Sequence, residues 1–550
     1  MFKLSRWLPF LQWPRPGAQL LRGEAISALT VAVVMIPQSV AYAGLAGMPL
    51  VAGLYATFLP ALLSVLFSAS TRLSTGPSAL SSVLVGASLV GMAQPASASW
   101  VMLAVWLALL AGTLQLIVGL TGSAWVLNLV SSPVLAGFSQ AAALLIIASQ
   151  LPALIGLEGP LTQLLHAPRI DLQALAYGVA SLALFILARR VAPKLPIMLI
   201  VLAATGLLAW ITGYSRNGAV VGPLPQGLPD FYWPDWPGWE VFSGLLAPAL
   251  VLALVSSLEM AASAKIENQR EGRRWDAGQD LVGQGVGKLA AAFSGSFATS
   301  TSFSRSALTL YSGAKTGWAT VIASGFVLLV LLFLTQPLSH VPKAVLAAVV
   351  IAAVSSLFKP KTFANLWQID KVEALTAGAT FAVTILTAPR IYWGVLTGVL
   401  IGLAHFLYLR LHPRIIEVGL HPDGSLRDRH LWKLPPLASH LYALRMDAEL
   451  DFASASAMER AVAEHLAANP DVQHVCLFAQ PINRVDATGV EMFAQMRKLL
   501  AERGITLHIS GIKLPVESVL QKAGALDEGP LLKMYRTDTE TLLAFGRLSP

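Results

Sequence analysis

The chain has 550 residues, of which 55% are hydrophobic and only 12% are Asp, Glu, Lys or Arg. A soluble protein with a mean hydropathy of +0.64 would have too little core to bury this apolar surface, so a bilayer must surround much of the chain. The composition excludes a secreted enzyme and a disordered scaffold, and the single cysteine, Cys476, excludes a disulfide framework or a zinc knuckle.

The charges divide the chain into two parts. Residues 435–550 contain 11 Lys and Arg and 14 Asp and Glu, whereas residues 1–434 contain 27 basic and 16 acidic residues. The basic excess therefore lies in the apolar part, where it indicates basic cytoplasmic loops of a membrane protein rather than a nucleic-acid surface. The distribution predicts a membrane domain followed by a small soluble domain.

The N-terminal residues 1–23 do not form a secretory signal, because prolines interrupt the stretch before any apolar run. We expect this segment in the cytoplasm at the membrane interface, with Trp7 and Trp13 at headgroup level. Residues 24–411 are predicted to form the membrane domain, residues 412–434 a linker, and residues 435–550 the soluble domain.

About fourteen apolar stretches recur through the membrane domain at the length needed to cross a bilayer. Basic residues alternate with the stretches so that they fall on the side of the N-terminus, which predicts both chain termini in the cytoplasm. We expect the spans near 24–44, 49–69, 77–92, 100–120, 123–148, 172–190, 194–213, 242–264, 280–295, 302–313, 316–336, 341–357, 372–388 and 391–410.

The third and tenth spans are interrupted by polar sequence. Leu73-Ser-Thr-Gly-Pro-Ser78 precedes the third, and a Ser- and Thr-rich stretch at 294–304 precedes the tenth. Backbone that is not helical at membrane depth is stable only where it is buried in protein or lines a cavity. Seven spans separate the two breaks, so a seven-plus-seven inverted repeat would bring them together as a binding site.

Helix N-termini at these breaks would bind an anion through free backbone N–H groups and the helix dipole. Pro77 suits the first turn of one half-helix, and the N–H groups of Phe303 and Ser304 would serve the other. Arg305 adds a positive charge, and an unpaired arginine inside a membrane indicates an anionic partner. The alternative is a purely structural ion pair between Arg305 and an acid, for which Glu259 is a candidate.

Three other polar residues lie in apolar spans. Glu259 would carry a proton or help to hold Na⁺, unless it forms a fixed salt bridge. Gln38 and Tyr42, next to the helix-bending Pro37, would line a small oxyanion site, unless Gln38 only bonds another helix and Tyr42 belongs to the core.

The motifs in chain order are Ile36–Pro60 (IPQSVAYAGLAGMPLVAGLYATFLP), Leu73–Leu80 (LSTGPSAL), Glu259 with Lys265, and Ser302–Ala307 (SFSRSA). This combination resembles the SulP sulfate-permease family, the bacterial anion permeases related to prestin and the animal anion exchangers. The resemblance implies an α-helical membrane protein with fourteen segments in two inverted repeats, divided into core and gate domains that work by an elevator-like movement.

The resemblance also implies roles for individual residues. Glu259 matches the acidic position linked to cation coupling, although Met260 follows it where many relatives have serine. Neither a cofactor nor a metal is implied, and the family implies a homodimer. The positions that match the substrate site of the family are Gln38, Tyr42, Ser78, Phe303, Ser304 and Arg305.

The C-terminal domain alternates predicted strands and helices, which indicates a small α/β sheet. It resembles the STAS domain of sulfate transporters and anti-sigma-factor antagonists, through Glu449-Leu-Asp451 and Val485-Asp-Ala-Thr-Gly489. The antagonists carry a phosphorylated serine where this chain has Ala487, which excludes phosphorylation there. We therefore expect a role in dimer contacts, in folding or in regulation by a cytoplasmic partner.

The combined observations predict a secondary active transporter in a bacterial plasma (inner) membrane. Its substrate would be a small inorganic or carboxylate anion, sulfate first, symported with H⁺ or Na⁺; a lone buried carboxylate favours H⁺, since Na⁺ needs several oxygens. Alternatives are a Na⁺-coupled bicarbonate symporter, an H⁺-coupled dicarboxylate symporter, a nucleobase permease, a passive anion channel, and an anion sensor that signals through the STAS domain.

No enzyme site is present in the sequence, since neither a nucleophile–base arrangement nor metal-ligand spacing of histidines occurs. The run Gly283-Gln-Gly-Val-Gly-Lys288 lacks the spacing of a phosphate-binding loop, and Leu289 stands where Ser or Thr would bind Mg²⁺. We expect these glycines to permit close helix packing instead.

Overall fold

The computed structural model describes residues 8–157, 170–191, 196–527 and 529–546, so the predicted interfacial Trp7 lies outside the described residues. The chain divides into two compact units, Met1–Gly402 and Leu403–Pro550, which we call the membrane unit and the C-terminal unit.

Within the described ranges, fourteen helices correspond to the fourteen predicted spans, and six of these are long and apolar enough to cross a membrane. The expected class, an α-helical membrane protein with a C-terminal α/β domain, is therefore confirmed. The helices are α1 Ala18–Leu45, α2 Val51–Phe67, α3 Ala79–Leu89, α4 Ala98–Leu120, α5 Ser132–Ile155, α6 Leu172–Val191, α7 Ile197–Ile211, α8 Trp239–Glu271, α9 Ala277–Phe293, α10 Phe303–Tyr311, α11 Trp318–Leu338, α12 Lys343–Val354, α13 Lys371–Leu386 and α14 Tyr392–Leu411.

Some helix ends differ from the prediction for local reasons. The fifth helix begins at Ser132 rather than near 123, because Pro133 occupies its first turn and a short 3₁₀ helix, Ala124–Leu129, precedes it. Helix α11 contains a π-helical turn, Val330–Leu334. The remaining short helices of the membrane unit are Pro9–Gln12, Tyr214–Asn217 and Lys361–Ile369.

The helices of the membrane unit form two groups. Helices α1–α4 and α8–α11 pack mainly against one another, and α5–α7 pack with α12 and α13. Helix α14 joins the second group, where Gly398 lies against Thr380 of α13 and Val134 of α5. These groups correspond to the predicted core and gate domains.

Helices α4 and α9 approach closely because glycines face each other. A Cβ atom at Gly285 would lie 2.8 Å from the carbonyl oxygen of Gly112, and one at Gly112 would lie 2.9 Å from Cβ of Lys288. The prediction that the Gly283–Lys288 run serves helix packing is thus confirmed.

The C-terminal unit is a six-stranded sheet flanked by helices. Two short strands of the membrane unit, β1 Thr75–Gly76 and β2 Ser300–Thr301, precede it in the chain. The strands of the sheet are β3 Ile415–Leu420, β4 Leu426–Asp428, β5 Leu441–Met446, β6 His474–Phe478, β7 Thr506–Ser510 and β8 Leu532–Tyr535; the helices are Arg429–Trp432, α15 Ala455–Ala468, α16 Ala487–Glu502, α17 Leu514–Lys522 and α18 Asp538–Gly546. The spatial order of the strands is β4-β3-β5-β6-β7-β8, in which β5 to β8 are parallel and β3 is antiparallel to both its neighbours.

The segment 412–434, predicted as a linker, contributes strands β3 and β4 to this sheet. The two strands pair as a hairpin, and β3 extends the parallel sheet along β5. Ile416 and Val418 of β3 are buried in a small apolar cluster, so burial of this face explains the additional strands. The other predicted domain limits stay predictions.

Asp486, before the alanine that replaces the phosphorylated serine, has a structural role. Its carboxylate accepts hydrogen bonds from the backbone N–H groups of Gly489 (2.8 Å) and Phe452 (3.0 Å), and so caps α16. The bond from Gly489 in particular holds the pKa of Asp486 below its ordinary value. The Asp-Ala-Thr-Gly motif therefore fixes a helix start in this chain.

Candidate functional site

The two interrupted segments meet as a two-stranded antiparallel sheet in the membrane unit. Strand β1, Thr75–Gly76, pairs with β2, Ser300–Thr301, and each strand leads into a short helix, α3 or α10. Gln284 of α9 donates to the hydroxyl oxygens of Thr75 (3.0 Å) and Thr301 (2.8 Å). This pairing brings the N-terminal regions of two half-helices together, as the inverted repeat predicts.

Glu259 of α8 is hydrogen-bonded to both breaks. Its Oε2 accepts from Oγ of Ser78 at 3.0 Å and from Oγ of Ser300 at 2.5 Å. Ser78 also caps α3, because its Oγ accepts from the N–H of Ser81 at 3.2 Å. One carboxylate therefore connects α8 with the segments before α3 and α10.

Arg305, in the first turn of α10, is 1% exposed. Its Nη1 donates to the carbonyl oxygen of Pro77 at 2.8 Å and its Nε to Oγ of Ser74 at 3.3 Å. Its Nη2 is buried and has no hydrogen-bond partner among the residues described. A Cβ atom at position 76 would lie 3.4 Å from this Nη2, so Gly76 leaves space beside the guanidinium.

An ion pair between Arg305 and Glu259, the structural alternative, is not formed in the described part of the chain. The two groups interact at longer range, and both also interact electrostatically with Tyr42. Tyr42 is 5% exposed and lies in the apolar core. Tyr42, Glu259, Arg305 and Ser78 thus belong to one neighbourhood.

Gln38 contacts the other helix group. It is buried, and its Nε2 lies 3.9 Å from Sδ of Met198 in α7, so it bridges the two helix groups. Phe303 and Ser304, by contrast, are exposed at the start of α10, which has no side-chain cap. The first N–H groups of α10 are therefore open to a ligand.

Lys288 of α9, which the sequence predicts only as the end of a glycine run, is a buried charge. It is fully buried, and its Nζ donates to Oε1 of Gln115 at 2.8 Å. Nε2 of Gln115 in turn donates to Oγ of Ser256 (2.9 Å) and Ser257 (2.7 Å), one turn before Glu259. Lys288 and Glu259 also interact electrostatically.

The sequence carried a signal for this lysine, since it is a basic residue inside an apolar span. The close packing of α4 against α9 places Gln115 opposite Lys288, and that pairing depends on the tertiary structure.

The sequence profile of the sulfate permease family matches residues 21–380, and that of the STAS domain matches residues 437–540. The chain belongs to the sulfate permease family. Members of this family are transporters and not enzymes, so this permease is a multi-pass membrane transporter with a C-terminal STAS domain.

Curated relatives match over almost the whole length of the permease. A probable sulfate transporter of Mycobacterium tuberculosis is 31% identical over 98% of each chain. A sodium-independent sulfate anion transporter of Bos taurus is 28% identical, over 94% of this chain and 88% of that protein. These relatives support anion transport.

Solved structures share the fold. Murine solute carrier 26 family member A9, an anion transporter in an inward-facing state, superposes with a TM-score of 0.89 at 19% identity, covering 100% of this chain and 95% of that chain. The transmembrane domain of the cyanobacterial bicarbonate transporter BicA gives a TM-score of 0.60 at 20% identity, covering 70% of this chain and 98% of that one.

Proposed function

We propose that this permease transports sulfate, or a similar oxyanion, together with H⁺. One observation carries the proposal. A buried guanidinium, whose Nη2 has no hydrogen-bond partner among the described residues, lies at the meeting point of two half-helices, beside a carboxylate that is hydrogen-bonded to the segments before both. The site residues in this proposal are Tyr42, Ser78, Phe303, Ser304 and Arg305, with Glu259 for coupling. Gln38, which contacts Met198 of α7, is proposed to line the site where the two helix groups meet.

The arrangement suits a small oxyanion for electrostatic reasons. The N–H groups of α3 and α10 and the guanidinium of Arg305 all favour negative charge at this point. Hydrogen bonds from backbone N–H groups and arginine to an anion are stronger than neutral ones. A neutral nucleobase would leave the charge of Arg305 buried without an anionic partner, which is costly.

The coupled cation is proposed to be H⁺, carried by Glu259. Two hydroxyl groups satisfy its Oε2, whereas Na⁺ would need additional oxygens and would be repelled by Lys288 and Arg305, which both interact electrostatically with Glu259. The name of the bovine relative, a sodium-independent sulfate anion transporter, supports both sulfate and independence from Na⁺.

An elevator-like movement is the proposed transport step. Helix α1 of the core group meets α7 and α12 of the gate group, and this contact is largely apolar, with residues such as Val31, Val201 and Val345 in one cluster. Apolar contacts are not directional, so one group can slide along the other at low cost.

The remaining parts of the proposal concern location and assembly. Basic loops favour a bacterial inner membrane protein with both termini in the cytoplasm. A homodimer and a cytoplasmic regulator that acts through the STAS domain are proposed from the family resemblance.

Uptake of labelled sulfate into proteoliposomes with an inward proton gradient tests the function. We expect accumulation above equilibrium that collapses when a protonophore removes the gradient, and that is lost in Glu259→Gln while exchange of sulfate continues. Bicarbonate, fumarate and uracil serve as competitors.

Uptake that does not depend on the proton gradient and that persists in Glu259→Gln would indicate a passive channel. Uptake driven only by Na⁺, or the absence of uptake of every anion tested, would overturn the proton-coupled mechanism.

A further inference from the structure

A basic cavity lies in the membrane unit, apart from the two half-helix N-termini. Its volume is about 480 Å³, and it is lined by the end of α8, the segment after α10 and the loop after α2. Four of its eight lining residues are basic and only one is acidic: Arg72, Arg270, Arg273, Leu310, Gly313, Ala314, Lys315 and Glu271.

Arg72 is the fixed element of this cavity. Its side chain is 9% exposed, forms a salt bridge with Glu271, and donates from Nη2 to the carbonyl oxygen of Lys315 at 2.8 Å. Its Nε is buried and has no hydrogen-bond partner in the described ranges. The guanidinium is therefore held in place and retains one unused donor.

Two further acids hold the backbone around Arg72. Oε1 of Glu267 accepts from the N–H groups of Thr71 (3.0 Å) and Arg72 (3.2 Å). Oε1 of Glu24 accepts from the N–H groups of Lys315 (3.0 Å) and Thr316 (2.9 Å). These acids bind the backbone of the cavity wall, whereas the charged side chains that line the cavity are mainly positive.

Arg72 also lies close to the start of α10. Arg72 lines a second, smaller cavity of about 10 Å³ together with Phe303, Ser306 and Ser263. Phe303 begins the half-helix α10, so Arg72 lies between that helix start and the larger cavity.

We propose that this cavity binds a tetrahedral oxyanion, either free sulfate or phosphate or the phosphate group of an anionic lipid, at a site separate from Arg305. Arg72, Arg270 and Arg273 supply the donors of this distal site. Glu271 forms salt bridges with both Arg72 and Arg273, so it competes with the anion for these two residues. The distal site would collect anions at the basic end of the membrane unit, where loop charges predict the cytoplasm.

The test compares two matched pairs of substitutions in purified full-length protein. Arg270→Gln/Arg273→Gln removes two exposed charges from the cavity, and Lys359→Gln/Lys361→Gln removes two exposed charges from another loop. Sodium sulfate is titrated calorimetrically into each protein in nanodiscs of phosphatidylcholine at constant ionic strength. All the proteins in this titration, the wild-type reference for the cavity included, carry Arg305→Ala so that binding at Arg305 does not contribute. A parallel set in nanodiscs that contain phosphatidylglycerol is examined by native mass spectrometry for retained lipid.

We expect the cavity pair to weaken binding by roughly tenfold, as loss of charge-assisted hydrogen bonds predicts, while the control pair binds like wild type. If the occupant is free anion, the loss is seen in the sulfate titration; if it is lipid, the loss is seen in retained phosphatidylglycerol. Equal binding by both pairs in both sets would overturn the proposal.

Glu271→Gln should change binding in the opposite direction to the cavity pair. Removing the competing carboxylate should free Arg72 and strengthen binding of the same probe, whereas a merely structural salt bridge would give unchanged or weaker binding. These experiments measure binding and not transport. A negative result would therefore contradict the distal site without contradicting proton-coupled uptake, and a negative uptake result would contradict the proposed function without contradicting the distal site.

Discussion

At the scale of single residues, the three buried charges of the candidate site are stabilised by neutral partners. Arg305 donates to a carbonyl and a hydroxyl oxygen, Glu259 accepts from two hydroxyl groups, and Lys288 donates to the amide of Gln115. Neutral partners compensate part of the cost of burial without cancelling the charge. A site built this way keeps its positive potential for an incoming anion.

Arg305→Ala should weaken sulfate binding by roughly ten- to hundredfold, because one charged hydrogen bond contributes about 1.5–3 kcal/mol. Calorimetric titration of the purified protein measures the change. Arg305→Lys keeps the charge but loses the forked donor geometry, so it should bind with intermediate affinity. An alanine variant that binds like wild type would contradict the role of the guanidinium.

Lys288→Met should lower the melting temperature, because it removes a positive charge near Glu259 and leaves Oε1 of Gln115 without its donor. Adding Glu259→Gln should recover part of the loss, with a coupling free energy of about 1 kcal/mol, since the carboxylate no longer needs a counter-charge. Thermal unfolding in detergent measures both. Lys265→Met, at an exposed lysine of the same helix as Glu259, is the control. If Glu259→Gln adds to Lys288→Met as it adds to Lys265→Met, with no recovery of stability, Lys288 and Glu259 are not coupled.

At the scale of elements, the half-helices and the glycine contacts carry the architecture. Strands β1 and β2 are only two residues each, yet their pairing fixes the start of α3 and α10. Their serines and threonines provide hydroxyl groups that replace water at membrane depth. The α4–α9 contact then places Lys288 and Gln115 in the interior of the bundle.

Gly285→Ala should destabilise the protein by about 1–3 kcal/mol, the usual cost of overpacking. Its new Cβ would lie 2.8 Å from the carbonyl oxygen of Gly112 and 2.9 Å from the backbone nitrogen of Leu116. Gly378→Ala, in α13 with nothing within 4 Å of the added Cβ, should be neutral or stabilising because alanine favours helix. Equal melting temperatures for the two variants would contradict the packing role.

At the scale of the whole molecule, orientation in the membrane follows from the charged loops. The loop before α8 contains the exposed Trp233 and Trp236, and it is predicted outside the cell. The loop with Lys359 and Lys361 is predicted in the cytoplasm. The chain offers a clean background for mapping, since its single cysteine, Cys476, is buried and burial raises the pKa of its thiol.

Gln226→Cys should be labelled by a membrane-impermeant maleimide added to intact cells, whereas Lys359→Cys should be labelled only after permeabilisation. Both positions are exposed in the structure, so access depends on the side of the membrane alone. Wild-type protein, with only the buried cysteine, is the control. The reverse labelling pattern would contradict the predicted orientation.

The sequence by itself determined the class of this protein and the two breaks in its spans. Apolar length and charge asymmetry follow directly from the cost of placing polar groups in a bilayer, and both are local properties of the chain. The combination of motifs in chain order, from Ile36–Pro60 to Ser302–Ala307, also sufficed to indicate the family. The strands in the predicted linker 412–434 escaped detection because their stability comes from pairing with β5, a non-local contact.

Only the tertiary structure decided which polar groups meet. Ser300 and Ser78 are far apart in sequence yet bind the same carboxylate. Gln38 contacts Met198 of α7, and Lys288 pairs with Gln115 across two helices. Hydrogen bonds are short and directional, so their partners depend on the relative rotation and depth of helices. Hydropathy determines that a helix spans the membrane, but it leaves rotation and depth to the packing of the bundle.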